Sequence, residues 1–287
     1  MLLSKILHFV FCEGTVIKIS ERINHTKITH GYCLICGSHG KLSIDHVPPQ
    51  GAVTITKVEQ KHIFEMSGVK ATSIKGVPST NGSKFRTICN KCNSEVLGGI
   101  DSEVASVSNS LTLKIMDHYQ YLNNIYSTVT VNINAMNYAR AMIGHILSAT
   151  SVTECRELSK PSPYFTPLQD FVLGNDDALN ETHDLYYWFY PRNRHVSAKY
   201  VHFRNKGHSA GISLLAFYPL AFLITPKNAG IYPAHAQKFE LTISKLVLDL
   251  SLHNMKYIDF PFVELVGDSM YMLNSFQAII SYPVKNI

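Results

Sequence analysis

Two matched cysteine pairs carry the most specific chemistry in this chain. Cys33 and Cys36 enclose Leu34-Ile35, and Cys89 and Cys92 enclose Asn90-Lys91. A C-x-x-C turn places two thiolates about 2.3 Å from one side of a tetrahedral zinc ion, and a second such turn closes the tetrahedron. Four sulfur ligands leave no open position, so the predicted site is structural: a staple for a module too small to fold on its own core. Disulfides are the competing use of cysteine, but two neighbouring C-x-x-C pairs in a chain that shows no secretory signal read as metal ligands. Cys12 and Cys155 are left over and are expected to be buried apolar thiols.

Between the pairs comes Ile44-Asp45-His46-Val47-Pro48-Pro49, with Asp45 nine residues after Cys36, and Asn93 follows Cys92 directly. An imidazole with an ordinary pKa near 6.5 can accept a proton from water at neutral pH, which is the work His46 could do. Asp45 and Asn93 offer hard oxygen ligands suited to a single Mg²⁺ or Mn²⁺. Cations accompany them. Residues 1–105 hold 12 Lys/Arg against 8 Asp/Glu, whereas residues 106–287 hold 14 against 13, so the basic excess lies in the first part. Lys57, Lys61, Lys84, Arg86 and Lys91 are the candidate phosphate contacts, with ordinary solvated lysines as the alternative account. Asp101 and Glu103 could add acid near a metal, or simply line a solvated helix face.

These residues need elements to position them. Lys41 to Val47 alternates polar and apolar residues as a half-buried strand does, and Pro48-Pro49 cannot continue its ladder. Lys84 to Ile88 predicts a second short strand, and Asn90 through Val104 a helix weakened at Gly98-Gly99. Neighbours on a strand point to opposite faces, so Asp45 and His46 can share a site only if the strand end is twisted or bulged. Residues 50–82 read as an irregular insert carrying four lysines, which makes it the candidate for laying along a nucleic-acid backbone.

The pattern Asp-His-Val-Pro-Pro with a closing Cys-x-x-Cys-Asn resembles the HNH nuclease family over residues 31–103. The resemblance implies a ββα-metal module in which the first strand carries Asp45 and His46 and a short helix carries Asn93. It further implies that His46 acts as general base, that Asp45 and Asn93 hold a catalytic divalent metal, and that DNA is the substrate, with RNA as an alternative. Lys84 stands where many members carry a middle Asn, and Asn81 is the nearest residue to take that loop-supporting role. Bacterial nucleases of this kind commonly serve in defence against phage or foreign DNA. The different reading left open is a zinc-stapled nucleic-acid-binding protein without hydrolysis, or a module that survives only as scaffold.

The remainder of the chain matches no family pattern. Ser106 to Glu157 is mostly helix-like, with Ala141, Gly144, His145 and Ser148 at the spacing of a packed helix. Beyond Pro161, Pro163 and Pro167, strands are expected at Leu185–Tyr190, His195–Phe203, Gly211–Ile224 and Phe239–Leu250. The aromatic run Tyr186 to Tyr190 could stack bases, although aromatics in strands more often form core. The fold class expected is α+β: an N-terminal zinc-stapled ββα-metal module over residues 1–105, then a helical segment and an antiparallel β-rich domain over 106–287. That second part would serve recognition, bind a regulatory ligand or mediate homo-oligomerisation. Met1 to Cys12 reads as a first strand or short helix. With 46% apolar and 16% charged residues the chain is long enough for a sizeable core, and no run approaches the length of a membrane span, so a cytoplasmic protein is expected.

Overall fold

A computed structural model describes residues 18–22, 26–53, 57–66, 75–80, 82–121, 126–267, 271–273 and 277–284. The opening stretch Met1–Cys12 and the expected loop support Asn81 lie outside the described residues.

In chain order, a single turn α1 (Ile19–Arg22) precedes β1 (His30–Tyr32), β2 (His39–Val47), β3 (Lys57–His62), β4 (Val77–Thr80) and β5 (Ser83–Cys89). A short helix, Lys91–Leu97, leads to α2 (Asp101–Gln120), followed by β6 (Thr128–Asn132), α3 (Ala135–Ser148) and α4 (Phe165–Val172). The last part is strands: β7 (His183–Phe189), β8 (His195–Asn205), β9 (His208–Phe217), β10 (Leu220–Pro226), β11 (Gln237–Lys238), β12 (Lys245–Asp249), β13 (Tyr271–Leu273) and β14 (Ala278–Pro283). The class is mixed helix and sheet, as the sequence pattern predicts.

Among the described residues, three antiparallel sheets result. The small one, β1-β2-β5, carries Asp45 and His46 at the end of its central strand. The large one runs β11-β7-β10-β9-β8-β14-β3-β4, with β13 also paired to β8. The third pairs β6 with β12. Thus residues 50–82 are not irregular throughout: β3 and β4 form a hairpin whose first strand pairs with β14, from Ile279 opposite His62 to Pro283 opposite Val58. The boundary expected near residue 105 consequently falls inside one continuous core. A single buried cluster joins Leu34, Leu42, Phe85 and Ile88 of the first part to Ile143, Ile146, Phe222 and Ile279 of the second.

Alternation along the large sheet explains its two buried faces. Leu185, Tyr187 and Phe189 of β7 point into that cluster, while Tyr186, Trp188 and Tyr190 point into a second one with Ile212, Leu223 and Phe262. The aromatic run is therefore core, and none of its rings is available as a stacking platform. Three other expectations change. The Gly211–Ile224 stretch is a hairpin, β9 and β10, turned at Tyr218-Pro219, and Phe239–Leu250 contributes a strand only from Lys245, the stretch before it being turn. Within the helix-like 106–157 segment, Thr128–Asn132 is extended instead, because it pairs with β12. Among the described residues no helix is long and apolar enough to cross a membrane.

One packing contact governs how the first sheet meets α3. A Cβ placed on Gly144 would lie 2.3 Å from Leu97 Cδ2 and 3.3 Å from Leu97 Cγ. Glycine thus lets α3 approach the end of the Lys91–Leu97 helix more closely than any other residue would. Thr87 Oγ1 of β5 donates to the carbonyl of Ser148 at 2.6 Å and ties the far end of the same helix to the sheet.

Candidate metal centre and adjoining cleft

The two C-x-x-C turns meet at one edge of the small sheet. Their four sulfurs lie within 4.8 Å of one another, and Cys36 Sγ is 3.7 Å from Cys89 Sγ. A tetrahedron with metal–sulfur bonds of about 2.3 Å has edges of about 3.8 Å, so the sulfurs stand where a zinc-sized ion needs them. Local backbone geometry makes each turn. Gly37, at φ +71°, closes the first by donating its N–H to the Cys33 carbonyl at 2.9 Å. In the second, the Cys92 N–H points at Cys89 Sγ at 3.5 Å. The crowded thiols titrate unequally: the Cys92 thiol donates to Cys33, which pulls Cys33 down and drives Cys92 up. The four cysteines can therefore hold a structural metal such as zinc. Gln169 of α4 donates to the Leu34 carbonyl inside the first turn at 2.8 Å, so the second part of the chain braces it. Cys155 is buried, as expected, and burial pushes its thiol up to about 12.

Behind this centre lies a cleft of about 300 Å³ whose lining includes Asp45, His46, Gln50, Asn93, Asp101 and Ser102. Asp45 and His46 both reach it despite being neighbours on β2. The ladder between β2 and β5 is irregular there: Ser43 faces Ile88, but Asp45 faces Phe85, one residue further than regular pairing allows. The extra residue is on β5, where Arg86 and Thr87 stand opposite Ile44, while Asp45 and His46 pair regularly with Phe85 and Lys84.

Asn93 lies in the first turn of the Lys91–Leu97 helix, and the Gly98 N–H reaches back five residues to its carbonyl at 2.9 Å, giving a wide turn. Its amide nitrogen donates to Ser43 Oγ at 2.8 Å and to the Ile44 carbonyl at 2.9 Å. A carbonyl can only accept, so these bonds fix the amide's orientation and leave Oδ1 as the oxygen not committed to β2. His46 is half-buried. Burial and then the charge of Lys84, its partner across β5, hold it below the usual 6.5 against the opposing pull of Asp45, so the ring is neutral at pH 7.

Asp45 is only 2% exposed, and its partners come from α3. His145 Nδ1 lies 3.0 Å from Asp45 Oδ2, and the Ser148 hydroxyl donates to the same oxygen. The other ring nitrogen, His145 Nε2, is 2.9 Å from Asp101 Oδ1. Two ionised carboxylates only accept, so a ring bonded to both donates from both nitrogens and is an imidazolium. Burial works against that charge, but Asp45 and Asp101 outweigh it and push His145 up to about 10. Asp101 thus belongs to the cleft and not to a solvated helix face, whereas Glu103 accepts from the Asn134 N–H at the start of α3. Sequence reasoning placed His145 and Ser148 only as packing residues of a helix. The one available signal was two polar side chains, at i and i+3, within an otherwise apolar run.

The candidate phosphate contacts do not form one surface. Lys57 and Lys84 line a groove of about 590 Å³ together with Lys18, and Lys84 continues it toward His46. Lys61 pairs with Glu59 at 3.7 Å, Arg86 donates to the Leu42 carbonyl at 3.2 Å, and Lys91 is exposed at the start of the short helix. In the second part, a separate pocket of about 370 Å³ is lined by residues including Trp188, His235, Asp249 and Asn254. No family model, curated protein or solved structure matches the chain.

Proposed function

We propose that this chain is a metal-dependent endonuclease of the HNH kind that hydrolyses phosphodiester bonds in DNA, with zinc bound by Cys33, Cys36, Cys89 and Cys92 as its structural staple. The observation that carries the reading is the convergence of Asp45, His46 and Asn93 on one cleft beside the four-cysteine centre. A scaffold or a simple binding module has no need of that convergence. Asp45 and His46, neighbours at the end of β2, both line that cleft.

In this reading His46, neutral and half-buried, takes the proton of the attacking water at its unprotonated ring nitrogen. Asp45 and Asn93, each held by hydrogen bonds to neighbouring elements, present oxygens that suit a hard cation. Mg²⁺ or Mn²⁺, when bound there, neutralises charge on the scissile phosphate and its departing oxygen. Lys57, Lys84 and Lys18 meet phosphates outside the cleft through unspecific charge, so sequence preference from this face is weak. The pocket near Trp188 is where a regulatory ligand of the second part would bind, and a role against phage or foreign DNA belongs to the same proposal.

The alternative, a zinc-stapled nucleic-acid-binding protein without hydrolysis, draws on the engagement of Asp45 and Asp101 by His145. Plasmid cleavage by zinc-loaded protein, run in Mg²⁺, Mn²⁺ or EDTA beside His46→Ala, separates the two. Metal-dependent nicking that disappears in His46→Ala, with zinc content and DNA binding retained, supports the enzyme. Binding without cleavage in every metal supports the alternative.

A further inference from the structure

We infer that His145, on a helix outside the nuclease-like module, is a positioning residue that with Ser148 sets the two carboxylates of the cleft. The inference rests on the endonuclease reading and extends it to residues that the HNH pattern does not contain. Its basis is connectivity. One imidazole links Asp45 at the end of β2 to Asp101 at the start of α2, at 3.0 Å and 2.9 Å, across 100 and 44 residues of sequence. The Ser148 hydroxyl adds a second bond to Asp45 Oδ2, and Thr87 anchors the Ser148 carbonyl to β5. Both carboxylates line the cleft that also holds His46 and Asn93.

Stability is a poor explanation for this arrangement. The neighbours of His145 on α3, namely Met142, Ile143, Ile146 and Leu147, are fully buried apolar residues. Replacing a buried ion pair by well-packed apolar groups is often neutral or stabilising. What an apolar core cannot do is hold two carboxylates in fixed orientation. Both bonds to Asp45 fall on Oδ2, which directs the remaining oxygen, while Asp101 would otherwise be a side chain free to rotate at a helix start. A displacement of about 1 Å at a reacting centre is enough to lower turnover by about 10²-fold.

The test uses full-length, zinc-loaded protein and two readouts. In ¹H–¹⁵N spectra of the histidine side chains, the His145 Nε2 signal should move in Asp101→Asn and the Nδ1 signal in Ser148→Ala. In DNA cleavage at saturating Mg²⁺, His145→Leu should lose about 10²-fold in kcat with KM for DNA little changed. His145→Asn and His145→Gln, which keep one donor each, should recover part of it. Ser148→Ala, the mildest change, should lose several-fold in kcat while retaining zinc and its thermal midpoint, and it carries the test if the position-145 variants do not fold. A folded Ser148→Ala and His145→Leu with wild-type kcat overturns the inference alone. A wild type that is inert in every metal overturns the endonuclease reading and the inference with it.

Discussion

Gly144 is the most exposed assumption in the packing that positions the cleft, and substituting alanine there tests it quantitatively. The added Cβ would lie 2.3 Å from Leu97 Cδ2, and relieving that contact to the roughly 3.5 Å of ordinary carbon–carbon packing requires about 1.2 Å of movement. Leu97 is fully buried, so it cannot swing into solvent, and α3 must shift or Leu97 must leave its rotamer. Overpacking of this kind costs about 1–3 kcal/mol, while alanine in place of glycine inside a helix contributes about 1 kcal/mol in the other direction. The expected net loss is about 1 kcal/mol by urea unfolding of the zinc-loaded protein. A double-mutant cycle isolates the contact. Leu97→Ala alone should cost about 2–5 kcal/mol, and in its background the Gly144 methyl enters vacated space, so the two changes should couple favourably by at least about 1 kcal/mol. Cleavage should fall more than stability, because His145 follows Gly144 and moves with it. A Gly144→Ala protein more stable than wild type, with no coupling to Leu97, would refute the reasoning.

Cys89→Ser should lose bound zinc and lower the thermal midpoint, since the metal ties the turn between β1 and β2 to the end of β5; a variant that keeps zinc or the wild-type midpoint would contradict this. His195 is 3% exposed, and burial alone lowers its pKa to about 4. Its folded pKa lies below the unfolded 6.5, so the stability it supports is complete above pH 6.5 and declines as pH falls toward 4, by about 2 kcal/mol at pH 5. Unfolding of His195→Leu at pH 7.5 and 5.0 should show a pH dependence shallower than wild type by that amount, and an identical dependence would show that the ring is not held neutral. Lys57→Gln with Lys84→Gln should reduce the salt slope of DNA binding by about 2, whereas Lys61→Gln, whose ammonium is paired with Glu59, should leave it nearly unchanged. Equal effects from all three would place the nucleic acid elsewhere.

Local signals were legible in the sequence and long-range ones were not. The cysteine spacing, the alternation that becomes β2, the short β5 and the helix broken at Gly98-Gly99 each depend on residues within a few positions of one another, and the structure shows all of them. Pairing of β3 with β14 spans more than 200 residues, and β6 owes its extended form to β12, so neither could be read from a window of sequence. The hairpin at Tyr218-Pro219 was hidden because β9 and β10 are both apolar on both faces, leaving no alternation to mark where one ends. In the cleft, Asp45, His46 and Asn93 could be singled out beforehand because their spacing is local, and all three line it. His145 was overlooked because a polar residue on a buried helix face announces nothing until the opposing surface is known. The lysines were less legible for a related reason: charge count says how many cations a segment has, not which of them a neighbouring carboxylate or carbonyl already engages.

The most direct test of the central claim is to locate both metals by anomalous diffraction from crystals of the zinc-loaded protein grown with Mn²⁺. The account predicts zinc among Cys33, Cys36, Cys89 and Cys92, and manganese in the cleft against the oxygens of Asp45 and Asn93, next to His46. Zinc at the four cysteines with no manganese in the cleft, under conditions where the protein cuts DNA, would show that the hydrolytic site has been misplaced.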